Sequence, residues 1–514
     1  MRKLCFMGAA LLLASAGAFA AGTEESAAAM DSEPTVLEVV LQDRGTAPIN
    51  VDSSVIDAIE ERLNIIFDIT AIPGGGDYNQ KKRTLIATDD VPDILKVHRN
   101  DLVEFGDTGV FLALNEMIDT KVPNYKRILE GNERVQKTAI DGVYYAFATT
   151  KRFEFHRGII SVIRTDVVDG LGLELPQTFD ELYDVLAAIK EAHPDSHVWT
   201  NRGGGRNLVR NTSYAFGTGP DIYYDPDVDG GRWAYGPIQE QYRNLLAYLH
   251  RTYDEGILDP DFATLTTAQW REKQGSEKSF FFYDNPTYGK RANDAIVPVN
   301  PDAWWAPTDV LTNSLGQRRS LFYEEEVWSQ MWAAGQKTEA EDAIASFFNF
   351  AYTDEFAEMK AFGIEGVHWV RDGDDYRFTE EMRAEYTSET GAYLIDKFMN
   401  EVGTGAYGAF SPYIDMRLYR MNWPEYQINW YLGMEATGHW DDPKVVAPFN
   451  SAEREEITNL TASLNTKVHA AIDKVILGDM SLAEWDALVQ EIRPDALRLE
   501  EIHNAAEERY QMSR

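Results

Sequence analysis

In the first hundred positions, short continuous apolar runs, typical of strands, alternate with stretches in which apolar residues recur every three or four positions, as in helices. Residues 36–41 form a β-branched run, and residues 52–63 repeat apolar positions every three or four residues. Two further apolar runs follow at 65–72 and 93–97. This alternation predicts strands separated by helices and is typical of a parallel α/β sheet. We expect the folded part to begin near Thr35.

The turns that follow these runs are the first candidates for a ligand site. They comprise residues 42–45, 73–78 and 98–101, and they are rich in Gly, Asp, Asn, Arg and His. Open α/β sheets bind ligands at the carboxyl ends of their strands, where such turns lie. The sequence therefore places candidate binding residues in these three turns.

A second α/β unit is predicted from residue 158 onward. Residues 158–164 form another β-rich run, and Thr178 with Glu181 has the spacing of a capping box ahead of a helix that ends before Pro194. Two more boxes of this type are Thr338 with Glu341 and Ser481 with Glu484. Trp485, on an apolar helical face, is expected in the core. The last third of the chain is predicted to be mainly helical.

The amino terminus has the pattern of a secretory signal peptide. Arg2 and Lys3 precede an apolar stretch at 4–13, and residues 18–20 have the small-x-small pattern of a cleavage site. We expect a signal peptide over 1–20, cleaved near Ala20, and a flexible leader over 21–34. The only cysteine precedes the cleavage site, so the predicted mature protein is cysteine-free and has no lipid attachment site. No later apolar run is long enough to provide a stable membrane anchor.

Composition narrows the classes of function. The 514 residues include 48 Lys and Arg against 84 Asp and Glu, a formal charge of −36. Such a charge repels phosphate backbones, so nucleic acid is not an expected partner. The length favours two domains. Metalloprotease, serine-hydrolase and phosphate-loop motifs are absent, and neither a catalytic residue nor a cofactor is predicted.

Two features bear on ligands. Residues 225–230 imitate the start of a calcium loop but lack the acidic residue at the twelfth position, which favours a hairpin turn and predicts no metal. The chain has 12 Trp and 25 Tyr, many of them next to polar residues. Flat rings beside hydrogen-bonding groups suit sugars. These aromatic residues together favour a carbohydrate cleft.

Four segments resemble those of extracellular solute-binding proteins of family 1. Residues 164–183 contain the family's Arg, Asp, Leu-Gly-Leu and Pro-x-Thr pattern. Residues 253–262, 362–369 and 476–486 are similar to motifs of the large branch that serves oligosaccharide importers and includes alginate-binding relatives. Within the second of these motifs, Glu365 and His368 are expected to have structural roles. Residues 193–199 lack the acidic and amide ligands of the calcium loop found in alginate-binding relatives, which argues against a calcium site.

The resemblance implies an α/β fold of two lobes, the type II periplasmic-binding-protein fold. Discontinuous stretches build each lobe, hinge strands join the lobes, and the ligand cleft lies between them. By analogy, lobe one takes residues 35–155 and 326–400, and lobe two takes residues 156–325 and 401–514.

The leading hypothesis is a monomeric periplasmic protein, not an enzyme, that captures an oligosaccharide and delivers it to the permease subunits of an ABC importer. An exported glycoside hydrolase or polysaccharide lyase is the alternative, and a binding module that signals to a membrane sensor is a third possibility. The residues expected to contact the ligand are Arg44, Tyr78, His98, Arg99, Trp199, Arg202, Asn207, Tyr283, Asp284, Trp305, Trp328 and Trp369.

Overall fold

The structure of this chain is a computed structural model. It describes residues 33–43, 47–152, 156–228, 230–322, 327–373, 375–387, 394–405, 410–418 and 423–512. The predicted signal peptide, most of the predicted leader and Arg44 lie outside the described residues. In the described part of the chain, no helix is both long enough and apolar enough to cross a membrane.

Helices and strands alternate through the first two thirds of the chain, and helices dominate the last third, as predicted. The helices α1 to α19 are, in chain order, Ser54–Leu63, Gly75–Ala87, Arg99–Phe105, Asn115–Thr120, Pro123–Gly131, Glu133–Gln136, Thr165–Gly170, Phe179–Ala192, Gly204–Phe216, Glu240–Asp254, Thr267–Gly275, Thr287–Ile296, Glu341–Ala351, Asp354–Phe362, Glu380–Tyr386, Ile395–Glu401, Glu425–Ala436, Ser451–Leu477 and Leu482–Met512. The strands β1 to β15 are Thr35–Asp43, Ile65–Pro73, Ile94–His98, Ala146–Arg152, Ile160–Arg164, Ile222–Asp225, Arg232–Tyr235, Phe281–Asp284, Trp305–Pro307, Ser320–Leu321, Val327–Ala333, Trp369–Asp372, Asp375–Phe378, Tyr413–Asp415 and Trp440–Asp441.

A six-stranded sheet organises the first lobe. Its order is β14-β4-β11-β3-β1-β2. Strands β1, β2 and β3 are parallel, as the sequence predicted. Strand β11 is antiparallel to both β3 and β4, so β4 runs in the same direction as β3. The carboxyl ends of β1, β2, β3 and β4 therefore lie at one edge of the sheet.

The second lobe is built on a three-stranded antiparallel sheet of order β8-β5-β9. Ile160, the first residue of β5, pairs with Asp284, the last residue of β8. Helices α8, α9, α10, α18 and α19 contribute to its main core, where Trp485 is fully buried, as predicted. Separate cores under the two sheets are consistent with two lobes.

Three chain segments meet side by side at the junction between the lobes. Gly158 forms a β-bridge with Phe322, and β10 pairs in parallel with β15. Gly158 lies so close to the ring of Trp440 that an added Cβ would be 1.6 Å from it. Only glycine fits at this position without displacing the indole ring. Strands β4 and β5 are joined through this junction, and so are β10 and β11.

One strand differs from the predicted division of the chain. Residues 401–514 were all expected in lobe two, but Tyr413–Asp415 pairs with β4 in the six-stranded sheet. Ile414 and Met416 are buried in the core of lobe one. Residues 413–418 therefore pack with the six-stranded sheet.

Most predicted helix starts are confirmed. Thr178 and Glu181 form the predicted capping box. Ser481 and Glu484 form the second predicted box: the Ser481 N–H donates to the Glu484 carboxylate, and the Glu484 N–H donates to the Ser481 hydroxyl oxygen. The box predicted at Thr338 is wrong: helix α13 begins at Glu341 without a side-chain cap, and the Thr338 hydroxyl donates to Asp93. The Thr338 oxygen accepts from the N–H of Ala340, two residues further on, instead of from the N–H of Glu341.

The predicted hairpin at 225–230 is confirmed as the turn between β6 and β7. The carboxylates of Asp225 and Asp227 each accept a hydrogen bond of 2.9 Å from the Arg319 guanidinium. These two carboxylates are thus paired with an arginine of the chain itself, in line with the prediction of a turn.

Candidate functional site

Polar side chains gather at the edge of the large sheet from which the chain crosses to lobe two. Gln42 lies near the end of β1, His98 ends β3, and Gln330 pairs with His98 across β11. The Gln330 amide nitrogen lies 3.3 Å from the Gln42 side-chain oxygen and 3.4 Å from His98 Nε2. These three side chains form the lobe-one wall of the candidate site.

A buried ion pair holds His98 in place. Lys82 Nζ lies 2.6 Å from Asp101 Oδ2 and donates to His98 Nδ1 at 2.9 Å. The Asp101 carboxylate also accepts from the backbone N–H of His98. Because Lys82 is a donor only, Nδ1 of His98 is the acceptor in this contact. Burial and then Lys82 lower the pKa of His98, while Asp101 acts in the opposite direction. His98 is therefore held at the rim by Lys82, with Nε2 next to the Gln330 amide.

The facing wall in lobe two is built on the end of β8 and the start of α9. Asp284 is 2% exposed and accepts two hydrogen bonds from Arg202, at 2.9 and 3.0 Å. Asn207 donates to the Arg202 carbonyl oxygen, and Arg210 donates to the Asn207 side chain. The Arg202 guanidinium lies 4.7 Å from the centre of the Tyr288 ring. The result is a rim of fixed donors beside an aromatic face.

The positions of these two walls follow from the topology. The carboxyl end of β4 lies at the same sheet edge as His98, and the chain crosses from there to β5. Asp284 pairs with the first residue of β5. Both polar walls thus lie at the sheet edges nearest the crossing, with the junction between them. This is the arrangement of a cleft between two hinged lobes.

Aromatic rings line the junction itself. The rings of Phe322 and Trp440 are stacked with centroids 5.3 Å apart and planes 17° from parallel. His156 lies 4.8 Å from Phe322, and its Nδ1 is 3.1 Å from a Glu435 carboxylate oxygen. These rings give the junction apolar faces beside hydrogen-bonding groups.

A groove of about 1000 Å³ lies between α3 of lobe one and α18 of lobe two. Its lining is mixed, and its polar residues include Arg99, Asn100, Arg454, Thr458, Thr461 and Asn465. One turn after Asn465 on α18, His469 lies 3.3 Å from Asp221. Burial raises the pKa of Asp221, while His469 and Arg206 oppose that rise. The volume suits a ligand of several sugar units.

A second groove, of about 900 Å³, lies elsewhere. It runs between the β6–β7 hairpin and the end of α19, and its lining includes Glu500, Glu501, Glu507 and Glu508. It is remote from the strand ends of both sheets, so we do not regard it as the site. Within the described residues, no group of three or more His, Asp and Glu side chains is arranged to hold a metal ion.

The structure separates the predicted site residues into three groups. His98, Arg202, Asn207 and Asp284 lie at the two walls, and Arg99 lines the groove while donating to the Lys137 carbonyl oxygen at 2.9 Å. Tyr78 is fully buried beneath the lobe-one wall, and its hydroxyl donates to the Lys96 carbonyl oxygen. The Trp328 side chain and all of Arg44 lie outside the described part of the chain.

Four aromatic residues that were predicted to contact the ligand lie in the hydrophobic cores instead. Trp199, Tyr283, Trp305 and Trp369 are each at most 2% exposed. Trp199 packs edge-on against Phe281, and the Trp369 indole donates to the Gly363 carbonyl oxygen. These rings have no surface for a ligand in this structure. His368 has the structural role expected of it, because its Nδ1 accepts from the Ile364 N–H.

Several residues of the walls were not predicted. Gln42, Lys82, Gln330, Arg210 and Tyr288 come from distant parts of the chain, and nothing in their local sequence marks them. The turn at 42–45 was a candidate, which is the only sequence signal for Gln42. The others are identified only by the packing of separate elements.

Comparisons with known proteins agree with this architecture. The model of the bacterial extracellular solute-binding protein family matches residues 61–358, more than half of the chain. The polygalacturonan/rhamnogalacturonan-binding protein YtcQ of Bacillus subtilis is 24% identical over 342 residues, covering 63% of this chain and 65% of that protein. The fructooligosaccharide ABC transporter substrate-binding protein FusA of Streptococcus pneumoniae is 25% identical over 326 residues, covering 57% and 60% respectively.

A solved structure shows the same fold over nearly the whole chain. The alginate-binding protein AlgQ2, crystallised without calcium, has a TM-score of 0.74 at 20% identity, and the match covers 92% of this chain and 98% of AlgQ2. The curated relatives are matched over only 48 to 65% of their own lengths. The fold is therefore the two-lobe type II fold that the sequence predicted. This chain belongs to the bacterial extracellular solute-binding protein family.

Proposed function

We propose that this chain captures an oligosaccharide in the cleft between its lobes and delivers it to the permease of an ABC importer. The observation that carries the proposal is the convergence of two polar walls, one from each lobe, on the edges next to the crossing segments. Relatives named for binding polygalacturonan and fructooligosaccharides support a sugar as the ligand. The proposed state is a monomer in the periplasm, released from its signal peptide near Ala20.

The chemistry of the walls suits sugar hydroxyls. His98 offers its imidazole Nε2, Gln42 and Gln330 offer amide groups, and the half-buried Arg202 is fixed by Asp284. Donors that are already positioned lose little entropy when a ligand binds. The partly exposed Trp440 ring, stacked on the buried Phe322, offers an apolar group near the same junction. Lining of this mixed type recognises rings with polar edges and apolar faces.

We propose that closure of the two lobes distinguishes the sugar-bound protein from the empty one. A sugar that touches both walls makes its full set of contacts only when the lobes are closed, so it shifts the population towards the closed form. We propose that lobe one comprises residues 35–155 and 326–418, and that lobe two comprises residues 156–325 and the chain after residue 418. The three adjacent segments at the junction, which include Gly158, would act as the hinge.

A thermal-shift screen of the mature protein tests the proposal. The panel comprises neutral and acidic oligosaccharides of two to six units, and each hit is analysed afterwards for intact sugar. A ligand at about 100 Kd adds about 2.7 kcal/mol to the free energy of unfolding. We expect at least one hit whose sugar is recovered unchanged, followed by stimulated uptake in vesicles that contain the cognate permease.

Other outcomes would replace the proposal. Consumption of a hit sugar would indicate an exported carbohydrate-active enzyme with its site in the same cleft. Binding without stimulated uptake would indicate a sensor module. A panel without any stabilising sugar would remove the carbohydrate assignment and leave only the fold.

A further inference from the structure

The lobe-two wall carries a dense group of arginines on a chain of formal charge −36. Three guanidinium groups surround the Tyr288 ring: Arg202 at 4.7 Å, Arg291 at 5.4 Å and Arg271 at 5.5 Å from its centre. Arg206 and Arg210 lie one helical turn apart on α9, next to Arg202. We call these five residues the arginine cluster. It stands where the ligand would meet lobe two.

Most of the arginine cluster lacks a carboxylate partner. Arg202 is paired with Asp284, whereas in the described part of the chain no Asp or Glu oxygen lies within 4 Å of the guanidinium of Arg206, Arg210, Arg271 or Arg291. On a surface with almost twice as many acidic as basic residues, unpaired arginines are unexpected. The concentration of four of them at one edge indicates a partner that is not part of this chain.

The nearby carboxylates are already engaged. Asp294 is held by Lys290 at 2.5 Å, Asp221 by His469, and Asp473 accepts from the Gly205 N–H at 3.0 Å. Burial lowers the pKa of Arg210. The positive charges of Arg202 and Arg206 lower it further, whereas the Asp284 carboxylate raises it. The positive potential at this wall is therefore not cancelled by its immediate surroundings. It would attract an anion into the cleft.

We propose that the cleft selects an acidic oligosaccharide, one whose sugar units carry carboxylates, over its neutral counterpart. This inference rests on the proposed function and adds the charge class of the ligand. A planar guanidinium binds a carboxylate through two parallel hydrogen bonds, and such charge-assisted bonds are about twice as strong as neutral ones. Tyr288, a partly exposed ring that packs on the buried Trp270 at 4.9 Å, would provide the flat surface beside the charges.

The competing explanation is that the arginines only pack on Tyr288. Cation–π contacts are attractive, and on this explanation they alone account for the arginines around the ring. Packing on Tyr288 does not account for Arg206 or Arg210, because among the described residues neither guanidinium contacts an aromatic ring. Substituting these two residues therefore distinguishes binding of an acidic sugar from packing on Tyr288.

The test compares each acidic sugar with its own methyl ester, which keeps the sugar ring and removes the charge. The probes are tri- and tetragalacturonate and tri- and tetramannuronate, titrated calorimetrically beside their esters and beside neutral galacto- and fructo-oligosaccharides. We expect the free acid of at least one series to bind at least tenfold more tightly than its ester, with affinity falling as salt rises. The double variant Arg206→Gln/Arg210→Gln should lose most of that difference.

A matched control has the same charge change far from the cleft. Arg251 and Arg498 are exposed arginines outside the two walls, paired with Glu255 and Glu456, and the double variant Arg251→Gln/Arg498→Gln should leave the acid-to-ester ratio unchanged. Equal affinity for acid and ester, or a double variant that weakens both equally, would overturn the acidic-sugar inference while leaving sugar binding intact. Failure of every sugar, charged or neutral, would overturn the proposed function together with this inference.

Discussion

Replacing Arg202 by methionine is expected to weaken sugar binding about thirtyfold and to lower the free energy of unfolding by about 3 kcal/mol. The substitution leaves the Asp284 carboxylate, which is 2% exposed, without its bidentate partner. Removing one partner of a buried pair typically costs about 3–5 kcal/mol, and the lower end applies because Arg202 is partly exposed. The loss in binding corresponds to about 2 kcal/mol for one charge-assisted hydrogen bond to the ligand.

A second substitution separates the two effects. Adding Asp284→Asn to Arg202→Met removes the uncompensated charge and should restore much of the stability without restoring binding. Denaturant unfolding and titration calorimetry measure the two quantities. If Arg202→Met alone left both unchanged, Arg202 would be a surface residue without a role in the cleft. Arg498→Met is the control, because that exposed arginine should affect neither quantity.

Replacing Lys360 by methionine is expected to stabilise the protein at neutral pH. Lys360 lies on α14, is 1% exposed, and donates to the Thr404 hydroxyl at 2.6 Å. In the described residues no carboxylate lies within ion-pair distance of it. Burial lowers the pKa of Lys360 to about 7. Because each pKa unit below the ordinary value of 10.5 corresponds to about 1.4 kcal/mol, burying the ammonium costs about 5 kcal/mol of stability below pH 7.

The sign of the pH dependence follows from this lowered pKa. Between about pH 7 and pH 10 the unfolded chain keeps the Lys360 proton and the folded protein does not, so wild-type stability gains from this group as pH rises. The advantage of Lys360→Met should therefore be largest at pH 7 and shrink towards pH 10. Unfolding free energies measured across that range check this, with Lys278→Met as an exposed-lysine control. A constant or growing advantage would contradict the account of Lys360.

Local sequence signals predicted much of the scaffold. The runs at 36–41 and 65–72 became β1 and β2, and the boxes at Thr178 and Ser481 start helices. These features depend on neighbours within four residues. Thr338 does not cap α13, because its hydroxyl donates to Asp93, far along the chain, and its oxygen accepts from the Ala340 N–H instead of from Glu341. Boundaries set by tertiary contacts are thus the part that local patterns miss.

The site was only partly predictable for the same reason. His98, Arg202 and Asp284 follow strands or turns, and strand ends can be read from the sequence. The aromatic residues were misplaced because a polar neighbour in the sequence does not show which way a side chain points. In β8, for example, all four residues are buried, including the polar Asp284 next to Tyr283. Lys82 and Gln330 reach the wall only because α2 and β11 pack next to β3.

The central claim is that one sugar bridges both lobes. Titration calorimetry of the tightest-binding oligosaccharide against wild type, His98→Ala in lobe one and Arg210→Ala in lobe two tests it most directly. Loss of one ligand hydrogen bond costs about 1.5 kcal/mol, so each variant alone should bind roughly tenfold more weakly while remaining folded. Full wild-type affinity in either variant would contradict a ligand held between the two walls.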